Sequence, residues 1–344
     1  MANDSHPATG NNRGSSPDGD AVSNNLAGEF FAEREINSKI GLDGTFQSLW
    51  EWLKAGARDP LDGGSLALPS PPVESVFYRG QSNADHGLSS SLFRILQNSV
   101  TRVTEHRMAR TEADILRVMR SQGLGRLMTD GQLLGLMQHH GIPTRLIDVS
   151  KAPFEALFFA VDQNHDLDGR LFVIQLHRKS SDAADIFYLD AQRCLEWADA
   201  ARGEQYAKSS WTGRVAVADP KDLDPRMRAQ QGCFLVGGLI ASYSRRQMQF
   251  NGKTLEPLDL AKITNLSIRF PLRNAAGKAW SATAWTIRIP ASWKRPLGAL
   301  LKKEDHPITV DTMYPPLIEV KRLAISKAEE LSRTTWQVKN NRRK

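Results

Sequence analysis

The sequence has few cysteines and no long hydrophobic run. Its 344 residues include two cysteines, Cys194 and Cys233, which are too far apart for a CxxC metal pair and too few for a disulfide framework. A reducing, cytoplasmic setting is therefore expected. No segment approaches the roughly 18–20 apolar residues of a membrane span, and the first residues lack the basic start and apolar block of a secretory signal. We therefore expect no membrane partner.

Several catalytic signatures are also missing. The chain has no GxGxxG motif after a strand, no GxxxxGK[ST], no HExxH and no GxSxG. These absences argue against a Rossmann dehydrogenase, a P-loop NTPase, a zinc peptidase and an α/β-hydrolase. The pair His139 and His140 has no third ligand at a metal-like spacing, so no metal is expected.

The net charge of +7 is unevenly distributed. Residues 321–344 carry eight Lys or Arg and two Glu, whereas the rest of the chain is nearly neutral. This argues against a wholly basic nucleic-acid-binding domain. The basic tail only weakly suggests nucleic acid as a partner, and a solubilising tail is the favoured interpretation.

Composition divides the chain into four parts. Of residues 1–25, 17 are Asn, Asp, Ser, Gly or Pro, which leaves too little apolar surface to offset the entropy of ordering. The prediction is disorder over 1–27, an N-terminal helical segment and linker over 28–73, a main domain over 74–325, and a basic C-terminal tail over 326–344.

The main domain mixes helix and strand patterns without regular βαβ alternation. This predicts an α+β fold with a mixed or antiparallel central sheet and surrounding helices. The predicted strands are 73–78, 144–149 (a strand or tight turn), 170–176, 214–218, 233–236 and 285–289. The predicted helices are 45–55, 105–119, 130–140, 153–161, 189–201, 291–301 and 318–331.

The first segment with chemical potential is Tyr78-Arg79-Gly80-Gln81. An arginine at the end of a strand projects a fixed cation, and the following glycine lets a ligand approach the backbone. A guanidinium there suits a phosphate or a carboxylate, which it can bind with two hydrogen bonds. The alternative is a buried arginine paired with an acidic residue that braces the strand.

The second segment surrounds a Gly141–Pro143 turn. Asp148 can pair with Arg145 or Arg79, or hold a histidine tautomer, and His139 can act as an acid or base. The alternative is that these side chains cap a buried helix end and turn. The polar residues of this segment are His139, His140, Thr144, Arg145, Asp148 and Ser150.

The third segment is the Gln231–Gly232 step that enters the strand at Cys233. The Gln231 amide can face a ligand or bond a neighbouring backbone group. Cys233 itself is expected in the core, since it lies in an apolar strand.

Together the three segments resemble the FRG domain, a bacterial family named after its (F/Y)RG motif. The resemblance extends over roughly residues 74–325, and Val149 stands where the family usually has Trp. The matching motifs, in order, are Tyr78-Arg79-Gly80-Gln81, Leu92-Phe93-Arg94, the block from Gln138 to Asp148, the run from Ala156 to Ala160, the element from Arg228 to Phe234, Ile289-Pro290, Lys294 and the run from Tyr314 to Leu317.

A weaker resemblance is to mono-ADP-ribosyltransferases of the Arg–Ser–Glu type. It implies a split sheet and NAD as a substrate, with Arg79 on the NAD phosphates and Thr144 or Ser150 in the place of the serine. Gln231 stands where those enzymes have glutamate, and an amide cannot stabilise positive charge as a carboxylate does. Either Asp148 supplies the anion, or the site binds without turnover, or the analogy fails.

Three hypotheses follow. The first is an NAD-dependent ADP-ribosyltransferase or NAD hydrolase that acts as a toxin or anti-phage effector. The second is a non-catalytic module that binds a phosphorylated ligand or nucleic acid, and the third is a structural domain that acts through a protein partner. The predicted catalytic residues are Arg79, His139, Asp148 and Gln231, and the predicted ligand-binding residues are Tyr78, Gly80, Gln81, His140, Thr144, Arg145 and Ser150.

Overall fold

The computed structural model describes most of the main domain. The predicted linker between 56 and 75 and the basic tail over 326–344 lie outside the described residues, as do residues 1–25 of the predicted disordered segment. Residues 26 and 27 are helical, so the predicted boundary at residue 27 falls inside a helix. The described residues are 26–37, 44–55, 76–99, 102–177, 186–191, 193–195, 197–198, 211, 213–221, 224–240, 248–271 and 280–314.

Ten helices and ten strands form from these residues. The helices are α1 (26–32), α2 (Phe46–Lys54), α3 (Ser91–Ser99), α4 (Glu105–Ser121), α5 (Asp130–His139), α6 (Pro153–Val161), α7 (Pro225–Ala229), α8 (Pro257–Ile263), α9 (Ala291–Leu301) and α10 (Val310–Met313). The strands are β1 (Val76–Gln81), β2 (Ile147–Ser150), β3 (Gly169–Leu176), β4 (Ile186–Tyr188), β5 (Val215–Asp219), β6 (Gly232–Gly237), β7 (Gln249–Phe250), β8 (Lys253–Thr254), β9 (Ile268–Arg269) and β10 (Ala282–Ile289).

Eight strands form one mixed sheet in the order β4-β5-β6-β2-β1-β3-β10-β9. The pairs β4–β5 and β9–β10 are parallel, and the other neighbours are antiparallel. The α+β class with a mixed sheet is confirmed. Strands β1 and β2 share the single residue pair Tyr78–Ser150, so the two halves of the sheet are joined by a short seam.

The sheet is covered by helices on both faces. Strand β3 is buried at every position, and its residues alternate between two apolar clusters: Phe172 packs with Phe31 of α1, and Leu171 packs with Leu157 of α6. Helices α4 and α5 cover the β5–β6 end of the sheet, where Leu133 packs near Phe234. A strand buried on both faces explains the continuous apolar run of β3.

Most predicted elements within the described residues agree with the structure to within three residues. The predicted helix over 189–201 is wrong at its start, because the described residues 189–191 and 193–194 form turns and bends. The predicted helix over 318–331 lies outside the described residues. Helix α5 begins with a capping box between Thr129 and Gln132, and α6 begins with Pro153 in its first turn. Among the strands, β1 differs most from its predicted range of 73–78, because the strand continues through Gln81. Arg79 therefore lies inside the strand, opposite Phe172 of β3, and not at its end as expected.

Candidate functional site

A cavity of about 310 Å³ lies beside the seam between β1 and β2. We call it cavity A. It is bounded by β1, β2, the C-terminal end of α5, helices α6 and α7, and the start of β6. Its volume is at the lower end of the range for ligand pockets. The polar residues on its wall that carry the argument are Arg79, Gln138, His139, Asp148, Arg226 and Gln230.

Arg79 faces β2 across the seam. Its Nη1 donates a hydrogen bond to the backbone oxygen of Asp148 at 2.6 Å and lies 3.7 Å from Oδ2 of the same residue. The side chain is 21 % exposed, and its buried Nε has no hydrogen-bond partner among the described residues. Burial lowers the pKa of the Arg79 guanidinium, and Asp148 opposes that shift. Arg79 thus braces the seam and keeps one donor unused.

Asp148 is held by its neighbours in the second segment. Gln138 Nε2 donates to Asp148 Oδ2 at 2.8 Å, and the buried Thr144 hydroxyl donates to Gln138 Oε1. The Leu146 amide in turn donates to the Thr144 hydroxyl at 3.1 Å. Thr144 therefore orients Gln138 from behind and does not line the cavity. The Asp148 carboxylate remains more than half exposed at the cavity wall.

The two histidines have different environments. His139 lines cavity A, and its Nε2 lies 3.6 Å from Asp224 Oδ1. Burial lowers the pKa of His139 and so favours the neutral ring, whereas Asp224 opposes the shift. His140 is exposed and is not part of the wall; its ring stands edge-on to His139 at 5.3 Å.

Arg226 and Gln230 were not among the predicted site residues. The Arg226 guanidinium lies 4.1 Å from the centre of the Tyr314 ring, and its buried Nε has no hydrogen-bond partner among the described residues. Gln230 Nε2 donates to the Met313 backbone at 2.9 Å. The available signal was Asp224 followed by Pro225, which starts the short helix α7 that carries Arg226.

Gln231 is not on the wall of cavity A. It adopts a left-handed backbone conformation with φ of 44°, and its Nε2 donates to Glu155 Oε1 at 2.9 Å. Burial raises the pKa of the Glu155 carboxyl, and the bond from Gln231 opposes that shift. The residue that the sequence placed in the catalytic set thus pairs with a carboxylate at the start of α6.

Gly80 lines cavity A, but its lack of a side chain serves the packing of α6. A Cβ at this position would lie 1.9 Å from the Ala156 oxygen and 2.7 Å from the Ala160 nitrogen. The expected reason, close approach of a ligand to the backbone, is therefore replaced by close approach of a helix.

Arg145 does not reach the site. Its side chain is 1 % exposed, with Nε 3.0 Å from Glu112 and Nη1 2.6 Å from Glu105. Trp197 also donates to Glu112, at 3.1 Å. The structure thus places Arg145 away from cavity A, contrary to the expectation that it contacts a ligand, and two carboxylates neutralise its charge there. Its Nη2 is buried and has no hydrogen-bond partner among the described residues. Of the two partners considered for Asp148, the structure provides Arg79.

The remaining predicted residues divide between two places. Ser150 lines cavity A, but its hydroxyl donates to the Gln230 oxygen at 2.8 Å and accepts from the Ala152 amide at 3.0 Å. Tyr78 also lines cavity A, from β1. Gln81 lies outside cavity A and lines a second, neighbouring cavity.

Residues 74–169 match the family model described as FRG domain. The chain contains an FRG domain. The FRG match includes the Arg79 motif, the block from Gln138 to Asp148 and helix α6, whereas the α7–β6 side of cavity A lies beyond it. No curated protein and no solved structure matches the chain. The likeness to mono-ADP-ribosyltransferases stays a prediction.

Cavity A thus has two guanidiniums, a histidine and a carboxylate on its wall, of which Arg226 lies outside the FRG match. Guanidiniums with an unused donor favour an anionic ligand such as a phosphate.

Among the described residues no group of three or more His, Cys, Asp or Glu is placed to hold a metal ion. In the described part of the chain, no helix combines the length and apolar character needed to cross a membrane.

Proposed function

We propose that cavity A binds a small phosphorylated molecule, with Arg79 and Arg226 as its phosphate contacts. One observation supports this most strongly: both guanidiniums line the same cavity, and each keeps a buried Nε without a hydrogen-bond partner among the described residues. A buried donor without an acceptor costs free energy, and a phosphate that enters the cavity and reorients the guanidinium would supply the missing acceptor.

NAD is the phosphorylated molecule we propose, on the weaker resemblance given above. In the proposed reaction the bond between ribose C1′ and the nicotinamide nitrogen breaks, and nicotinamide leaves with the bonding electrons. A water or an acceptor group bonds to C1′ and gives its proton to neutral His139. The Asp148 carboxylate stabilises the positive charge on the ribose. Water yields NAD hydrolysis, and a protein acceptor yields an ADP-ribosylated protein. Through either reaction the protein would act as a toxin or an anti-phage effector.

Binding without chemistry is the second candidate. It is favoured by the position of Gln231, whose amide is engaged with Glu155 outside cavity A. The start of β6 therefore contributes no carboxylate to the cavity wall. A module of this kind would hold the phosphorylated ligand through the same two arginines.

The test combines thermal shift with nicotinamide release. Purified protein is incubated with NAD beside Arg79→Ala and Arg226→Ala. Arg117→Ala is the matched control, because that arginine is exposed and its ion pair within the described residues is with Asp114. We expect NAD to raise the melting temperature of the wild type and of the control. It should not change the melting temperature of either Arg79→Ala or Arg226→Ala. Nicotinamide release supports the enzyme, and a shift without release supports the binding module.

Loss of folding is separated from loss of binding by Arg79→Lys, which keeps the charge and gives up the planar fork. We expect it to fold and to bind NAD at least tenfold more weakly. If NAD neither shifts the wild type nor releases nicotinamide, the NAD proposal is wrong. A large fall in melting temperature in both Arg79 variants, without ligand binding by the wild type, would instead favour the structural role.

A further inference from the structure

A second cavity, of about 670 Å³, lies on the other side of Arg79. We call it cavity B. It is enclosed by β1, the loop over residues 82–90, helix α3, the end of α8 and one residue of α1. Arg79 and Gly80 line both cavities. The residues of cavity B used below are Arg79, Gln81, Asp85, His86, Arg94 and Lys262.

Cavity B has a surplus of positive charge. Within the described part of the chain, Arg79, Arg94 and Lys262 line it together with one carboxylate, Asp85. Away from the wall, Lys262 pairs with Asp259 at 3.0 Å and Arg79 lies 3.7 Å from Asp148, so the surplus rests chiefly on Arg94. Burial lowers the pKa of Arg94, and the charge of Arg79 lowers it further. Burial lowers the pKa of His86 too, and Arg94 adds to that shift. Like charges that repel one another around a hollow are stabilised when an anion enters it.

The cations of cavity B favour an anion, whereas Gln81 requires a hydrogen-bond donor from the ligand. The residue is 9 % exposed, and its Nε2 donates to the Gly87 oxygen at 3.3 Å. Its Oε1 is buried and has no hydrogen-bond partner among the described residues. An unpaired acceptor requires a donor, whereas a phosphate group mainly offers acceptors. A hydroxyl group near the phosphate in the same ligand would donate the missing hydrogen bond to Gln81 Oε1.

We propose that cavity B binds the phosphate monoester of a sugar, with Arg94 and Arg79 on the phosphate and Gln81 accepting from a sugar hydroxyl. This site is separate from the one proposed in cavity A and shares only the Arg79–Gly80 edge with it. It goes beyond the binding of NAD, because it identifies a second ligand group and the residues that recognise it.

The experiment is calorimetric titration of the full chain with ribose 5-phosphate and, separately, with inorganic phosphate. The variants are Arg94→Ala, Gln81→Leu and the matched control Arg117→Ala. We expect Arg94→Ala to weaken both probes at least tenfold, since a charge-assisted hydrogen bond is lost. Gln81→Leu should weaken ribose 5-phosphate and leave inorganic phosphate unchanged, and the control should match the wild type.

The outcomes separate this site from cavity A. Arg226→Ala, which changes cavity A alone, should retain the ribose 5-phosphate binding that Arg94→Ala loses. Failure of the wild type to bind ribose 5-phosphate at millimolar concentration, or unchanged affinity in a folded Arg94→Ala, overturns the proposal. Equal effects of Gln81→Leu on both probes overturn the sugar part. If the wild type binds ribose 5-phosphate through Arg94 but does not bind NAD, the result supports the proposal for cavity B. It then counts against NAD as the ligand of cavity A.

Discussion

Arg79 and Arg145 stand in the two most specific motifs of the chain, yet they have opposite environments. Arg145 is enclosed by two carboxylates, whereas Arg79 has one short bond to a backbone oxygen and a carboxylate 3.7 Å away. Carboxylates neutralise the charge of the buried Arg145 guanidinium, and Arg145 lines neither cavity A nor cavity B, although its buried Nη2 has no hydrogen-bond partner among the described residues. Arg79 lines both cavities, and this difference separates a structural arginine from a candidate ligand contact.

Replacing Arg145 by alanine should destabilise the fold strongly. The change leaves Glu105 and Glu112 buried without their cation, which costs about 3–5 kcal/mol of the free energy of unfolding. Urea unfolding measures this loss. Arg117→Ala on the exposed face of α4 should change the same quantity by less than about 0.5 kcal/mol. An Arg145→Ala protein as stable as the control would show that the buried network contributes little.

The Arg145→Ala defect should also depend on pH. Burial raises the pKa of Glu112, and Arg145 opposes that shift, so removing Arg145 raises the pKa further. A folded-state pKa above the unfolded value means that protonation favours the folded state. The defect should therefore be smaller at pH 5.5 than at pH 8, as urea unfolding at both values would show. A defect that grows on acidification contradicts this assignment.

At the scale of elements, the contact between β1 and α6 explains the glycine of the FRG motif. The helix backbone at Ala156 and Ala160 occupies the space of a Cβ at Gly80. Helix α6 also contributes Phe159 to the wall of cavity A. The glycine thus sets the distance between strand and helix, and with it the shape of the cavity.

Gly80→Ala should lower the free energy of unfolding by at least about 1–3 kcal/mol, since the new methyl group meets backbone atoms that cannot rotate away. Gly298→Ala is the matched control. Gly298 lies within α9 with no atom within 4 Å of a Cβ, so alanine there should stabilise the protein by about 0.5–1 kcal/mol. Thermal unfolding of both variants checks the prediction, and equal melting temperatures would refute it.

At the scale of the whole molecule, the sheet extends well beyond the FRG match. Strand β1 pairs with β3 through six residue pairs, and β3 begins where the match ends. Strand β2 pairs with β6 through four residue pairs, and β6 starts at Gly232. Both strands that carry the motifs thus depend on partners outside residues 74–169.

A fragment of residues 74–169 should therefore fail to fold. It retains β1 and β2 but loses the strands that pair with them along their length, and a lone pair of strands is marginally stable in water. Circular dichroism should show no cooperative thermal transition. A fragment of residues 26–314, which keeps every described element, should show one. A cooperative transition in the short fragment would mean that the match is an independent folding unit.

Local patterns in the sequence determined the elements and the order of the motifs. The capping box at Thr129 and Pro153 at the start of α6 act within a few residues of themselves, so they can be identified in the sequence. The run of β3 indicated a buried strand for the same reason. These features suffice to predict an α+β domain in which Arg79 and the 138–150 segment are the candidate site.

Only the tertiary structure decided which of the predicted side chains share a cavity. Arg145 is matched by Glu105 and Glu112, 40 and 33 residues earlier in the chain, and Arg226 reaches the wall that Arg79 lines. Such partners depend on which strands pair and which helices cover them. The physical reason is that burial and ion pairing arise between residues distant in the chain, whereas capping and periodicity arise between near neighbours.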